Sequence, residues 1–216
     1  MATVNPKSEL CQIVVTGGCG FIGSHLVEHL HRQTRWNIVI LDCLTYASDG
    51  LERLRDSCLI DSNRVRVFTV DLAAGPLSPG LIKEIGETHF IAHLAAESHV
   101  DRSISDPASV VQNNVMSTLY TLEYARKCPK LRRFFYMGTD EVFGSAPPGV
   151  AYRETDRNRS TNPYSASKSA GEQLCIAYHN TYKTPIIRGN TVNVFAEKQN
   201  IEKFVPHVIR SIRDGE

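Results

Sequence analysis

Along this chain, short runs of β-branched and aromatic residues alternate with longer stretches whose apolar positions recur every three or four residues. The short runs predict strands at 12–16, 37–41, 65–70, 90–94, 133–138 and 184–188. The longer stretches predict helices at 21–33, 51–57, 81–85, 108–127 and 165–182, and an amphipathic stretch at 201–213 closes the chain. Strands and helices in regular alternation imply a parallel sheet, because parallel neighbours need a crossover that a helix can supply. The expected fold class is α/β, doubly wound and three-layered. Residues 145–163, polar and carrying Pro147, Pro148 and Pro163, read as a loop.

Composition narrows the picture. A length of 216 residues with 42% apolar and 22% charged residues suits one well-buried globular domain, and excludes disorder, collagen-like repeats and a disulfide-stapled scaffold. Lys and Arg total 24 against 23 Asp and Glu. This chain therefore lacks the basic excess by which proteins neutralise nucleic-acid phosphates, and no nucleic-acid partner is expected. No stretch approaches the length of a membrane span, and the first ten residues have no apolar core of the kind a secretory signal needs. The expected setting is cytoplasmic. There the six cysteines (Cys11, Cys19, Cys43, Cys58, Cys128 and Cys175) are expected as free thiols. None pair as CxxC, and no histidine stands at zinc-ligand spacing, so no metal site is expected.

The first strand runs directly into TGGCGFIGSHL, where Gly17, Gly20 and Gly23 stand between strand and helix. Gly17 permits the tight turn, Gly20 lets the backbone approach a diphosphate, and Gly23 lets the helix pack closely. The helix N-terminus offers free N–H groups and the positive end of its dipole to that diphosphate. Asp42 ends the second strand, roughly twenty residues beyond Gly23. Its carboxylate can accept both ribose hydroxyls and would repel a 2′-phosphate, so the Rossmann-type site is expected to take NAD rather than NADP.

Thr139, Asp140 and Glu141 follow the fifth strand at its carboxyl end, where open α/β sheets bind ligands. Further on, Tyr164 and Lys168 lie four apart, on one face of a helix if Pro163 opens its first turn. A neighbouring ammonium is expected to lower the Tyr164 pKa from about 10 towards neutrality, making it a base for a sugar hydroxyl that Thr139 aligns. Glycine loop, threonine and YxxxK together predict a hydride-transfer site. Adjacent carboxylates can in addition divide acid and base roles, which eliminating water requires.

TGGCGFIGSH, HLAAESHVDRS, GTDEVFG and NPYSASK together resemble the extended short-chain dehydrogenase/reductases, and within them the chain is similar to the dTDP-glucose 4,6-dehydratases, from Ile13 to about Arg213. The resemblance implies a nucleotide-sugar substrate and bound NAD. Tyr164 takes the carbon-4 hydroxyl proton as NAD takes the hydride; Glu141 is the base at carbon-5, Asp140 the acid at carbon-6, and the hydride returns to carbon-6. It places Phe21 and Ile22 with the glycines beside the cofactor, Asp71 and Leu72 beside the adenine, Leu94, Ala95 and Ala96 along the cofactor, and Asn113 and Val194 near it. Ser98, Asn193 and Lys203 are implied as substrate contacts. His99, Asp101 and Arg102 read as a hydrogen-bonded loop shaping the sugar pocket. Relatives pair as homodimers through a four-helix bundle, for which Leu119, Leu122, Leu174 and Ile176 offer apolar surface.

Three departures from the family pattern stand out. Cys19 brings an oxidation liability into the glycine loop, and Asn190 replaces the usual arginine near Asn193. Ala196 replaces a glycine and would cost about 1 kcal/mol if that turn needs positive φ. Relatives also continue beyond Glu216 into a substrate-binding lid, so residues 1–216 are expected to form the NAD-binding domain with its catalytic residues. A related epimerase or decarboxylase, or a non-catalytic NAD-binding module, are the competing readings.

Overall fold

In the computed structural model, residues 10–215 are described; the expectation about a secretory signal concerns residues that, Leu10 apart, lie outside them. Six parallel strands form one sheet: β1 (Gln12–Thr16), β2 (Asn37–Asp42), β3 (Val65–Thr69), β4 (Phe90–His93), β5 (Arg133–Thr139) and β6 (Ile186–Thr191), in the order β3-β2-β1-β4-β5-β6. From β1 the chain steps outward to β2 and β3, returns across the sheet to β4, and steps outward again. Thr16 therefore pairs with Leu41 on one side and His93 on the other. A reversal of strand order at this point opens a crevice beyond the strands' carboxyl ends.

Side chains alternate across the pleat, and both faces are buried. Val14, Val39, Leu41, Ile91 and Phe134 pack on one face with Leu122 and Tyr124 of α5 (Pro107–Ala125) and Cys175 and Tyr178 of α6 (Pro163–Tyr182). Ile85 of α3 (Pro79–Ile85) joins them. Ile13, Val15, Ile38, Ile40 and Ala92 pack on the other face with Val27 of α1 (Phe21–Gln33) and Leu54 of α2 (Glu52–Asp56). The result is the expected doubly wound, three-layer arrangement.

Several boundaries differ from the sequence pattern. β6 lies two to three residues later than expected, over Gly189, Asn190 and Thr191, which pair with Met137, Gly138 and Thr139. Sheet pairing there overrides the poor strand propensity of Gly and Asn. Residues 100–105 form a helix, α4 (Val100–Ser105), where a loop was expected; His99 caps it, its Nδ1 accepting the Arg102 N–H at 3.3 Å. The last helix, α7 (Phe204–Asp214), starts three residues late because Lys203 is extended. Ala196 does not have positive φ; the left-handed residue of that turn is Lys198, at φ 63, so the expected strain at Ala196 is not met. Leu122 is fully buried in the core and so is not available to a dimer face, whereas Leu119, Leu174 and Ile176 are partly exposed.

Candidate active site

The crevice at the strand reversal is a cavity of about 670 Å³. Its floor begins at the glycine loop. Gly17 has φ +69, and its N–H donates to Leu41 O at 2.9 Å, which turns the chain out of the sheet. A Cβ at Gly23 would overlap the Gly17 carbonyl oxygen and crowd Gly18, so the third glycine is needed for packing within the loop itself. Gly20, the residue that precedes α1, has only Gly17 O near its missing Cβ, at 3.3 Å. No side chain caps α1 there. The loop thus leaves N–H groups and an open approach facing the cavity, which is what an anionic diphosphate requires.

Asp42, almost fully buried, closes the loop from β2. Its Oδ2 accepts the Cys19 N–H and its Oδ1 the Leu44 N–H, each at 2.9 Å. A carboxylate has about four acceptor sites, so these contacts leave acceptor capacity for a ribose hydroxyl. The Cys19 thiol is pushed up to about 12 by burial and by Asp42. It stays protonated at neutral pH, so the expected oxidation liability is not met. Asp71 and Leu72 line the same end of the cavity, with Asp71 accepting the Ala73 N–H at 2.8 Å.

Behind the segment Leu94–Ala95–Ala96 lies a buried polar chain that the sequence reading missed. Thr118 donates to Asn114 O at 2.7 Å, so it must accept from His93 Nε2 at 3.1 Å. Nδ1 of His93 is then the acceptor for Thr16, 2.8 Å away, and the Thr16 oxygen accepts the N–H groups of Leu94 and Ala95, each at 3.2 Å. Burial, and Lys168 next to it in effect, holds the imidazole down at about 3, hence neutral. Asn114 bonds the Glu97 backbone through both its N–H and its carbonyl, at 2.8 and 3.0 Å, and reaches Ser167 at 2.9 Å. Asn113 faces the cavity instead.

Thr139, Glu141, Tyr164 and Lys168 line one wall together. Pro163 does open α6, behind a capping box in which Asn162 accepts the Ser165 N–H at 2.8 Å. Asn162 also donates to Glu141 at 3.2 Å, so the same cap holds the carboxylate. Asp140 differs: it is exposed, lies outside the cavity lining, and receives a 3.4 Å hydrogen bond from Thr139. The expected fall in the Tyr164 pKa is reversed. Burial and the Glu141 carboxylate push the phenol up to about 12, with Thr139 acting the other way. Lys168, held down at about 8 by burial, places its ammonium 4.5 Å from the centre of the Tyr136 ring.

Ser98, Asn193, Val194 and Lys203 also line the cavity, and Lys203 Nζ donates to Ser98 O at 3.2 Å. The sequence reading missed Thr45, Tyr46, Ala47 and Ser48, and two exposed aromatic residues, Phe195 (72%) and Phe204 (80%). Nothing in their spacing marks them; the topology brings them to the mouth. Among the described residues, no group of three or more His, Cys, Asp or Glu is placed to hold a metal ion, and no helix is long and apolar enough to cross a membrane.

A profile of the family described as GDP-mannose 4,6 dehydratase matches residues 14–216. A dTDP-glucose 4,6-dehydratase of Salmonella typhimurium is 35% identical over 221 residues, covering 94% of this chain and 60% of the relative. Another, from Haemophilus influenzae, is 38% identical over 213 residues, covering 93% and 61%. Among solved structures, the dTDP-glucose 4,6-dehydratase of Streptomyces venezuelae with NAD bound superposes with a TM-score of 0.83 at 32% identity, covering 94% of this chain and 62% of that one. The UDP-glucuronic acid 4-epimerase of Bacillus cereus, with UDP-glucuronic acid and NAD, gives 0.84 at 28%, covering 95% and 64%. The chain thus spans about 60% of the length of the curated relatives it matches.

Proposed function

The chain belongs to the GDP-mannose 4,6 dehydratase family, and from that premise we propose that it is the nucleotide-binding and catalytic part of a nucleotide-sugar 4,6-dehydratase that uses bound NAD, with dTDP-glucose as substrate. The observation that carries this reading is a single cavity lined at one end by the glycine loop and Asp42 and at the other by Thr139, Glu141, Tyr164 and Lys168. NAD fits the residues present. The uncapped start of α1 suits the diphosphate, the space above Gly20 admits it, and the Asp42 carboxylate suits a ribose diol and opposes a 2′-phosphate. Leu94, Ala95 and Ala96 line the cavity and would give that cofactor a low-profile wall, which Asn113 and Val194, also in the lining, would flank.

When bound, the nicotinamide supplies the acceptor and then the donor of a hydride at the sugar. The chain's own residues move the protons. Tyr164 takes the proton of the carbon-4 hydroxyl, which Thr139 aligns. Burial holds its phenol protonated at pH 7 on its own, so it serves as base only as the phenolate, its own proton having first left to solvent; the Lys168 ammonium, still mostly protonated there, favours that phenolate. Once carbon 4 is a ketone, the adjacent carbon-5 hydrogen is acidic, and Glu141, held by Asn162 and facing the cavity, takes it. The acid role of Asp140 at the leaving carbon-6 hydroxyl rests on the family resemblance, since its carboxylate stands outside the lining. Ser98, Asn193 and Lys203 are the substrate contacts of this reading. A cytosolic setting accords with cysteines that form no disulfide among the described residues, and a homodimer with the side-by-side packing of α5 and α6.

The position of Asp140 favours a second reading, a nucleotide-sugar epimerase, which needs the Tyr164–Lys168 pair without a second carboxylate. Glu141→Gln separates the two. For a dehydratase, transfer of the carbon-4 hydrogen to NAD should persist while water elimination falls by about 10²–10⁴-fold. Turnover of nucleotide-sugar within about twofold of the parent chain would sink the dehydratase reading.

A further inference from the structure

Arg53 is the one α2 side chain with a guanidinium buried to 5% exposure, and nothing in the proposed chemistry uses it. Its donors reach three carbonyls on three different segments: Ala47 O at 2.9 Å, Lys198 O at 3.1 Å and Cys19 O at 3.5 Å. Each segment lines the cavity: the glycine loop, the turn at 45–48, and the stretch at 192–203. The carboxylates beside it on α2 are engaged elsewhere, Glu52 with Arg55 at 2.7 Å and Asp56 with Lys198 at 3.4 Å. The cation is therefore held by carbonyl dipoles, with its charge below the loop that faces the expected diphosphate.

The geometry points to Arg53 as a positioning residue that fixes the glycine loop, the 45–48 turn and the 192–203 stretch relative to one another, so that occupation of the nucleotide end sets the position of the stretch carrying Asn193 and Lys203. The assignment rests on the dinucleotide reading of the site. Two features support it. The peptide joining Cys19 to Gly20 is gripped from both sides, its carbonyl by Arg53 and its N–H by Gly17 O at 3.1 Å, so Arg53 orients the peptide that opens α1. The 192–203 stretch has no buried residue, and Arg53 holds it by the backbone at Lys198, the residue with φ 63. A planar fork with five N–H donors can serve three separated acceptors; a lysine ammonium on the same stem cannot match it.

Amide hydrogen exchange of the whole chain, with and without NAD⁺, tests this in the parent, Arg53→Met, Arg53→Lys and Lys198→Met. Arg53→Met is expected to speed exchange of the 197–203 amides by about tenfold or more while central-sheet amides keep their rates, and to weaken NAD⁺ binding by about threefold or more. Arg53→Lys keeps the charge and should recover part of the affinity but not the protection. Lys198→Met removes the ion pair to Asp56 and leaves the carbonyl that Arg53 binds, so it should stay within about twofold of the parent. Unchanged 197–203 exchange in both Arg53 variants overturns the proposal, as does faster exchange with unaltered NAD⁺ affinity. Should Arg53→Met not fold, Arg53→Lys decides alone. Failure of the parent to bind NAD⁺ would instead remove the dinucleotide reading, while the ligand-free exchange still decides whether Arg53 fixes the stretch.

Discussion

At the scale of single residues, burial governs the chemistry more than proximity of charge does. Tyr164 and Lys168 stand four apart as YxxxK implies, yet the phenol is pushed up to about 12 and the ammonium down to about 8, both mainly by burial. The spacing was legible; the direction of the Tyr164 shift was not, because it depends on what covers the pair and on Glu141. Lys168 binds its proton less well folded than unfolded, so between pH 8 and about 10.5 the unfolded chain holds more protons and stability rises with pH. Below pH 8 the buried ammonium is a standing cost. Lys168→Met should therefore raise Tm at pH 7 by roughly 2–4 °C or more while abolishing turnover, a combination that thermal unfolding and a product assay check together. A Tm at or below that of the parent would show that the ammonium's contacts outweigh its burial.

His93 gives a second prediction, with the same rise of stability with pH but in a lower pH window. Held at about 3 in the fold against 6.5 when free, it contributes stability that is present above pH 6.5 and lost as pH falls towards 3. Chemical denaturation between pH 7 and 4 should find His93→Gln less stable than the parent at pH 7, and less sensitive to acid. Parallel pH slopes for the two would contradict a neutral, fully bonded imidazole. The histidine itself was visible in HLAAESHV, but its role was not: the residues that fix its tautomer, Thr16 and Thr118, come from distant parts of the chain.

At the scale of elements, local signals were accurate where the chain itself supplies the partners. Pro163 and the GxxGxxG turn both mark real starts, while the helix expected at 81–85 begins two residues earlier, at Pro79 behind Ser78. They failed where pairing across the sheet decides. Gly189 and Asn190 read as a strand end, yet β5 beside them keeps the ladder going to Thr191. α4 was missed because its six residues are too few to show a period, and its cap is a histidine rather than Ser, Thr, Asp or Asn. Gly23→Ala probes the glycine loop as a unit. Overlap of the new Cβ with Gly17 O must displace the loop, at a cost of about 1–3 kcal/mol in denaturant unfolding and with weakened NAD binding. A change below about 0.5 kcal/mol would mean that α1 can move away freely.

At the scale of the whole molecule, the alternation of strands and helices and the glycine loop make the sheet, its three layers and its ligand edge legible in the sequence. The order β3-β2-β1-β4-β5-β6 then does what no motif does: it brings Asp42, at the end of β2, and Tyr164, at the start of α6, to one crevice. The mouth was less legible. Phe195 and Phe204 stand largely exposed there, and α7 keeps Ile209 (63%) and Ile212 (75%) in solvent with no buried residue, so its apolar stripe carries no packing information among the described residues.

The central proposal is that this cavity, as part of a nucleotide-sugar dehydratase, removes water from the sugar with NAD as an internal redox partner. Mass spectrometry of dTDP-glucose after incubation with the purified chain and NAD tests it most directly. The account predicts a sugar nucleotide lighter by one water, with no build-up of reduced cofactor. Sugar nucleotide of unchanged mass, whether recovered as supplied or inverted at carbon 4, would contradict it.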